Sequence, residues 1–134
     1  MTVPARAARR ARGDQGVTTV QVAVLFPAVL FLLVLIVQFG LWWHAKQVAN
    51  GAAAEAVAAA RTPAGNEAAG EQAAFDYLSE AGNLTRVTVV VDRDIEAVTV
   101  TVTGNAPRLV PGFAWGVTAV SQAAVERFIP ADQR

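Results

Sequence analysis

Residues 22–43 read VAVLFPAVLFLLVLIVQFGLWW, and this uncharged run decides the fold of the chain. A helix needs about 20 apolar residues to cross the roughly 30 Å hydrocarbon core of a bilayer. Gln38 is the only strongly polar residue in the run. Because lipid offers the backbone no hydrogen-bond partners, a helix is the expected form of a single span. The sequence therefore predicts a transmembrane helix over residues 17–43.

Four residues mark the two ends of this span. Gln21 lies at its entrance, and Pro27 lies one to two turns inside, where the missing backbone donor predicts a kink. Trp42 and Trp43 close the run. Tryptophan favours the headgroup zone of a bilayer, so we expect both rings to lie at the membrane interface.

The charges on either side of the span predict its orientation. Residues 1–16 carry four arginines against one aspartate, a net charge of +3, whereas the other flank has only Lys46 before Arg61. Cytoplasmic flanks are enriched in Lys and Arg. Residues 1–16 are therefore predicted to be a basic cytoplasmic leader, and residues 44–134 to be an exported domain.

Other interpretations of the N-terminal segment stay open. A cleavable secretory signal has an apolar core of about 7–15 residues followed by a small-residue cleavage site. This run is longer and ends in two tryptophans, although small residues follow over residues 49–54. An unprocessed signal anchor is the second alternative. The residues after Arg9 and Arg10 do not support twin-arginine export.

Composition excludes several classes of function. The chain has 134 residues, no cysteine and one histidine, which excludes disulfides, thiolate metal sites and a Cys/His catalytic pair. Formal net charge is zero, and residues 17–134 hold −3, which argues against nucleic-acid binding. We interpret His44 as a polar interfacial residue, and Asp92, Asp94 and Glu96 lack the spacing of a calcium loop. We expect no enzyme activity, cofactor, metal or small-molecule substrate.

The helical pattern continues beyond the membrane. Residues 41–61 contain no proline and are rich in alanine, the residue with the highest helix propensity. We therefore predict one helix from about Val17 to Arg61. A stripe of small side chains at helical spacing lies along it: Ala45, Ala49, Ala52 and Ala56. The stripe packs either against the chain's own sheet or, together with Gln21 and Pro27, against the helices of neighbouring subunits.

A second, short helix is predicted in the exported part. Residues 62–65 read TPAG and break the first helix. Asn66 is a suitable N-cap, and Gly82 is a suitable stop just beyond Glu80. The apolar side of this helix is predicted to carry Ala74, Tyr77, Leu78 and Ala81.

The apolar period then changes to two. Over residues 87–92 every second residue is valine, and the residues between are Thr88, Val90 and Asp92. Over residues 98–103 valine alternates with threonine, and a charged turn at residues 93–96 separates the two segments. This pattern predicts an antiparallel hairpin with one valine face and one threonine-rich face. Residues 117–127 are predicted to add a third strand. The loop before it carries Phe113 and Trp115, which are either core residues or an exposed contact patch.

Residues 12–27, RGDQGVTTVQVAVLFP, resemble the N-terminus of TadE-like proteins, the pseudopilins of the tight-adherence (Flp) pilus apparatus. Such proteins combine a basic leader, a glycine and an apolar run with a proline. Residues 40–61 resemble the family's exit helix, and residues 87–127 resemble its strand pattern, so the resemblance extends over nearly the whole chain. It implies a type IV prepilin-like leader that a membrane-embedded aspartyl prepilin peptidase cuts after Gly16, leaving Val17 as the first mature residue.

The family's acidic residue falls on Gln21 in this chain. In fibre-forming pilins a glutamate at that position offsets the N-terminal ammonium of a neighbour inside the apolar core, where an unpaired charge is costly. Gln21 can accept a hydrogen bond from an ammonium but cannot neutralise it. The resemblance therefore implies either a minor subunit, at a tip or base, or a protein that acts in the membrane without polymerising. Tip components of related secretion systems also lack the glutamate, which favours the minor subunit.

Together these patterns predict an α+β, single-pass plasma-membrane protein with a cytoplasmic N-terminus and an extracytoplasmic C-terminal domain. Its expected role is assembly or initiation of a tight-adherence pilus or related secretion fibre. The resemblance implies partners in the prepilin peptidase, other pseudopilins or Flp pilin, and the assembly platform. The alternative is an unprocessed, signal-anchored exported binding or scaffold protein unrelated to pili.

Overall fold

The computed structural model describes residues 11–127. These residues form two helices and one sheet, as the α+β prediction required. In chain order the elements are α1 (Ala11–Ala60), α2 (Glu67–Ala81), β1 (Thr85–Arg93), β2 (Ala97–Asn105) and β3 (Gly116–Ala124). The chain divides into two compact units, with the division between Val37 and Gln38. The second unit thus begins six residues before the predicted export boundary at residue 44.

The first unit is the N-terminal part of α1. Its helix already begins at Ala11, the first described residue, rather than at the predicted Val17. Every large apolar side chain from Val20 to Val37 is exposed except Val34, which is half-buried. Among the described residues α1 is the one helix long and apolar enough to cross a membrane. Pro27 lies inside α1, and the kink expected there stays a prediction.

In the second unit α1 ends in a tight turn before α2. The Arg61 N–H donates to the Val57 carbonyl at 3.0 Å and the Gly65 N–H to the Thr62 carbonyl at 2.9 Å. A Cβ on Gly65 would lie 2.6 Å from the Ala60 carbonyl oxygen, so the chain can fold back this closely only at glycine. The break predicted at residues 62–65 is therefore confirmed.

The helix α2 has the N-cap that the sequence predicted. The Asn66 side chain accepts a hydrogen bond from the Ala69 N–H at 2.8 Å, which satisfies a backbone donor that the first turn leaves open. Ala74 and Leu78 are buried beneath the helix. Gly70 is also buried. A Cβ added there would lie 3.0 Å from the Ala60 Cβ and 3.3 Å from a methyl carbon of Val91. Glycine thus lets α2 approach α1 and β1 closely.

The sheet is an antiparallel meander in the order β1-β2-β3. Its central strand places Val98, Val100 and Val102 on the buried face, where each is fully enclosed. The alternate threonines of β2 lie on the opposite face, opposite Thr88, Val90 and Asp92 of β1. The hairpin, its two faces and its charged turn are as predicted.

The third strand is shorter than predicted, since it ends at Ala124 rather than Arg127. Ala124 pairs with Ala97, the first residue of β2, so no partner strand continues beyond it. The next two backbone amides bind elsewhere: the Val125 N–H donates to the Glu96 carbonyl at 3.0 Å and the Glu126 N–H to the Arg61 carbonyl at 2.9 Å. These bonds tie the end of β3 to the hairpin turn and to the end of α1.

Candidate membrane and assembly surfaces

The predicted processing residues, Gly16 and Val17, lie within the helical course of α1. Residues 1–10 of the predicted leader lie outside the described part of the chain. Cleavage between Gly16 and Val17 therefore stays a prediction.

Gln21 lies on the exposed surface of α1. With Val20, Val24, Leu25 and Ala28 it lines a shallow depression along one side of the helix. Four of these residues follow the i, i+3, i+4, i+7 spacing of a single helix face. Because Ala28 is small, this face offers a groove in which a neighbouring helix could lie.

The alanine stripe has a different environment from Gln21. Its four residues are completely buried in the core of the second unit: Ala45, Ala49, Ala52 and Ala56. That core includes the valines of β2 and residues of α2. The alternative that the sequence left open, packing against the chain's own sheet, is the arrangement found. The stripe is therefore not a free surface for neighbouring subunits, and the assignment of these four alanines to assembly is corrected.

The opposite side of α1 in the second unit remains exposed. It carries Trp43, Gln47, Asn50, Ala54 and Ala58, which recur at steps of three or four residues and so share one face. We name these five residues the free face of α1. It is the part of this helix segment that a neighbouring helix can reach.

The two tryptophans at the end of the apolar run have different environments. Trp42 packs partly buried against the core, and its indole N–H donates to the Gly116 carbonyl at 3.2 Å. Trp43 is 54% exposed. One turn earlier, the Phe39 ring lies 5.8 Å from the Trp42 ring and 6.5 Å from the Trp43 ring, measured between centroids. The pair therefore combines a domain contact with an exposed aromatic surface, and its place at the membrane interface stays a prediction.

Gln38 makes tertiary contacts that sequence reasoning missed. Its side chain is only 3% exposed. It donates from Nε2 to the Pro107 carbonyl at 3.1 Å and accepts at Oε1 from the Leu109 N–H at 2.9 Å. Both ends of the amide are thus satisfied by the loop between β2 and β3. The one signal available in the sequence was a lone strongly polar residue inside an apolar run.

The β2–β3 loop, residues 106–115, contains both of the aromatic residues left open by the sequence. Phe113 is 67% exposed, which supports the contact-patch interpretation for that ring. Trp115 is half-buried and packs against the core. The Lys46 ammonium donates to the Thr118 carbonyl just beyond the loop, so α1 is joined to this side of the domain at several levels.

Within residues 19–127, whose side chains the structure describes, no group of three His, Asp or Glu side chains is arranged to hold a metal ion. Asp94 instead caps its own turn, because its carboxylate accepts from the Ile95 N–H at 2.7 Å.

The family model of TadE-like proteins matches residues 16–58. No curated protein and no solved structure gives a significant match to the chain. The TadE-like match confirms the suspected resemblance over these residues.

The matched segment lies entirely within α1. It begins at Gly16 and contains Gln21, Gln38 and the alanine stripe. This coverage is narrower than the resemblance predicted, since α2 and the sheet lie beyond the match. The TadE-like match is therefore confined to the long helix α1 and includes residues of both compact units.

Proposed function

We propose that this chain is a minor pseudopilin-like membrane protein that takes part in assembling or initiating a tight-adherence pilus or related secretion fibre. The observation that carries the proposal is the TadE-like match to residues 16–58, which coincides with an apolar helix of membrane-spanning length. The proposed role is structural rather than enzymatic. Its proposed partners are a prepilin peptidase, other pseudopilins or the Flp pilin, and the assembly platform.

Helix packing is the means of assembly that the exposed surfaces support. The bare segment from Val20 to Val37 exposes apolar side chains, and in lipid such helices associate through close packing at small residues and through interhelical hydrogen bonds. The groove beside Gln21 and Ala28 offers both features. In the second unit, the free face of α1 offers small and polar residues of its own.

The proposed orientation has the N-terminus in the cytoplasm. It is supported by the net charge of +3 on residues 1–16 and the positive-inside rule. The chain contains no cysteine, so a single introduced thiol can be labelled without background. On intact cells, a membrane-impermeant maleimide is expected to label Ile95→Cys on the hairpin turn but not Thr2→Cys, both in a Gly16→Leu background that retains the leader. Labelling of Thr2→Cys alone would reverse the orientation.

Processing by a prepilin peptidase is proposed to occur after Gly16. A glycine at that position leaves the backbone open to close approach by the protease. N-terminal sequencing of the protein from native membranes is expected to find Val17 first. Gly16→Leu is expected to block cleavage, whereas Gly13→Leu, a matched change in the same leader, is expected to leave it intact. An intact leader on the unaltered protein would favour the anchored binding or scaffold protein, and a start near Ala53 would indicate signal peptidase.

The minor role is proposed from Gln21. Without a carboxylate, a neighbour's N-terminal ammonium stays unneutralised in the apolar core. We expect this chain to be far less abundant than the major pilin in purified fibres, and Gln21→Glu to raise its share. Gln122→Glu, at an exposed position of β3 outside the proposed assembly surface, is the control. Abundance near that of the major pilin in the unaltered protein would remove the minor-subunit hypothesis.

A further inference from the structure

The β2–β3 loop is the most apolar exposed part of the second unit. Leu109 is 52% exposed, Val110 is 36% exposed and Phe113 is 67% exposed. These exposed apolar side chains lie on one loop, and apolar patches that remain exposed mark contact sites for proteins or membranes. Gly112 adopts a left-handed conformation with φ of 95°, which produces the turn that presents Phe113.

The position in α1 that binds this loop indicates that the loop contacts a membrane. The exposed apolar segment from Val20 to Val37 has 18 residues, and at 1.5 Å per residue it spans about 27 Å, close to the hydrocarbon thickness of a bilayer. Gln38 follows it directly and holds the backbone of residues 107 and 109 through both ends of its amide. The loop is therefore fixed to the first residue of the second unit, which follows the exposed apolar segment directly in the chain.

Aromatic side chains surround the same level. Phe39 and Trp43 are each more than half exposed, and Phe39 and Trp42 share a shallow groove with Phe113 and Trp115. Aromatic rings are enriched at the boundary between hydrocarbon and water. Within the second unit, loop and helix thus share one aromatic and apolar surface.

The positive charges at this end of the domain favour contact with the phosphates of a lipid surface. Thr85 pairs with Asn105 at the end of the sheet that bears the loop. Arg86 and Arg108 line one cleft there, together with Asn105. Arg86 has the left-handed φ of 53°, next to an irregularity in the pairing of β1 with β2. Arginine binds phosphate well because its guanidinium fork matches the phosphate oxygens.

Acidic residues are concentrated away from that cleft. The acidic hairpin turn lies at the opposite end of the sheet, where Arg93 pairs with Val98. The last turn of α2 carries Glu80, the acidic residue nearest to the cleft in sequence. The loop end of the sheet is therefore its basic end.

We propose that residues 106–115 form a second membrane contact of this protein. Leu109, Val110 and Phe113 enter the headgroup layer of the leaflet that faces the domain, while Arg86 and Arg108 bind the phosphates of anionic phospholipids. Gln38 locks this contact to the end of the span. The inference uses the membrane-spanning role of α1 and is independent of any pilus function.

Depth-dependent fluorescence quenching in vesicles tests the proposal. The full chain, with a single cysteine at position 110 or 113 carrying an environment-sensitive fluorophore, is reconstituted into vesicles of phosphatidylcholine and phosphatidylglycerol in equal amounts. Lipids with a nitroxide near the headgroup are expected to remove more than half of the emission from either site. Ile95→Cys, on the opposite turn and 76% exposed, is the matched control and is expected to lose almost none.

The other outcomes are equally decisive. If a probe at Leu32 is quenched by lipid but the loop probes behave like Ile95→Cys, the loop contact is refuted and the span remains. If the Leu32 probe is not quenched either, the span itself fails. Loop probes that are shielded from aqueous iodide yet not quenched by lipid would indicate a second protein copy and also refute the proposal.

The arginines are tested in the same system. Replacing Arg86 and Arg108 together by glutamine is expected to reduce quenching at position 113 in anionic vesicles and to change little in pure phosphatidylcholine. Added inorganic phosphate is expected to have no effect, since the ligand is the lipid surface. Equal quenching with and without the arginines in anionic vesicles would refute their role, and competition by free phosphate would identify a soluble ligand.

Discussion

Replacing Gln38 by methionine should release the β2–β3 loop while leaving α1 intact. Methionine has nearly the same length and a good helix propensity, but it cannot donate or accept as the amide does. The substitution removes the bonds to the Pro107 carbonyl and the Leu109 N–H. Each neutral hydrogen bond contributes about 0.5–1.5 kcal/mol net, so the loop should lose about 2 kcal/mol of its local stability.

Amide hydrogen exchange at Leu109 measures this loss directly. Since each 1.4 kcal/mol corresponds to a factor of ten, exchange of that amide should accelerate about 30-fold. Amides of the sheet interior, such as Val100, should keep their wild-type rates because their ladder is unchanged. The experiment is done on the full chain in detergent or lipid discs.

The matched control is Gln47→Met on the exposed side of the same helix. It makes the same chemical change without a loop partner, and the Leu109 amide should exchange as in the wild type. Equal Leu109 rates in Gln38→Met and in the unaltered protein would show that Gln38 does not hold the loop. The loop would then not be fixed to the end of the apolar segment.

Three further substitutions, two of them with a matched control substitution, test the packing of the domain by thermal unfolding of the solubilised chain. Gly51→Ala should lower the free energy of unfolding by about 1–3 kcal/mol, because the added Cβ would lie 2.6 Å from a ring carbon of the tyrosine in α2. Its control is Gly40→Ala, where an added Cβ has no neighbour within 4 Å, and which should be neutral or stabilising. Val100→Ala in the fully buried row of β2 should cost about 2 kcal/mol, whereas Val120→Ala on the exposed face should stay within about 0.5 kcal/mol. Asn66→Ala should cost about 1 kcal/mol through the lost N-cap. A reversed order within either pair, or no effect at Asn66, would contradict the packing described.

Local sequence patterns predicted the elements of this fold because their causes are local. The N-cap at Asn66 and the period-two valines of β2 act through neighbours a few residues away. The end of β3 was predicted too far along because the limit is set elsewhere: β2 starts at Ala97, which leaves Ala124 as the last paired residue. A strand's length depends on its partner as well as on its own composition.

The candidate site depended on contacts that no local pattern encodes. Gln38 meets Pro107 and Leu109 across 69 and 71 residues of chain, so the sequence showed only a polar residue in an apolar run. The alanine stripe suited two partners equally well, since small residues permit close approach by any surface. Only the tertiary fold shows that the chain's own domain occupies it.

The alanine-rich segment of α1 has a consequence for the order of events during synthesis. Ribosomes complete this helix before any residue of the sheet exists, and the last strand of its core ends at Ala124. A row of leucines that stayed exposed for that time without a packing partner would promote aggregation. Alanines form a helix by themselves and expose little apolar area while doing so. The same small side chains that permit close packing in the finished domain thus keep its unfinished half soluble until the meander, whose strands are neighbours in sequence, closes over it.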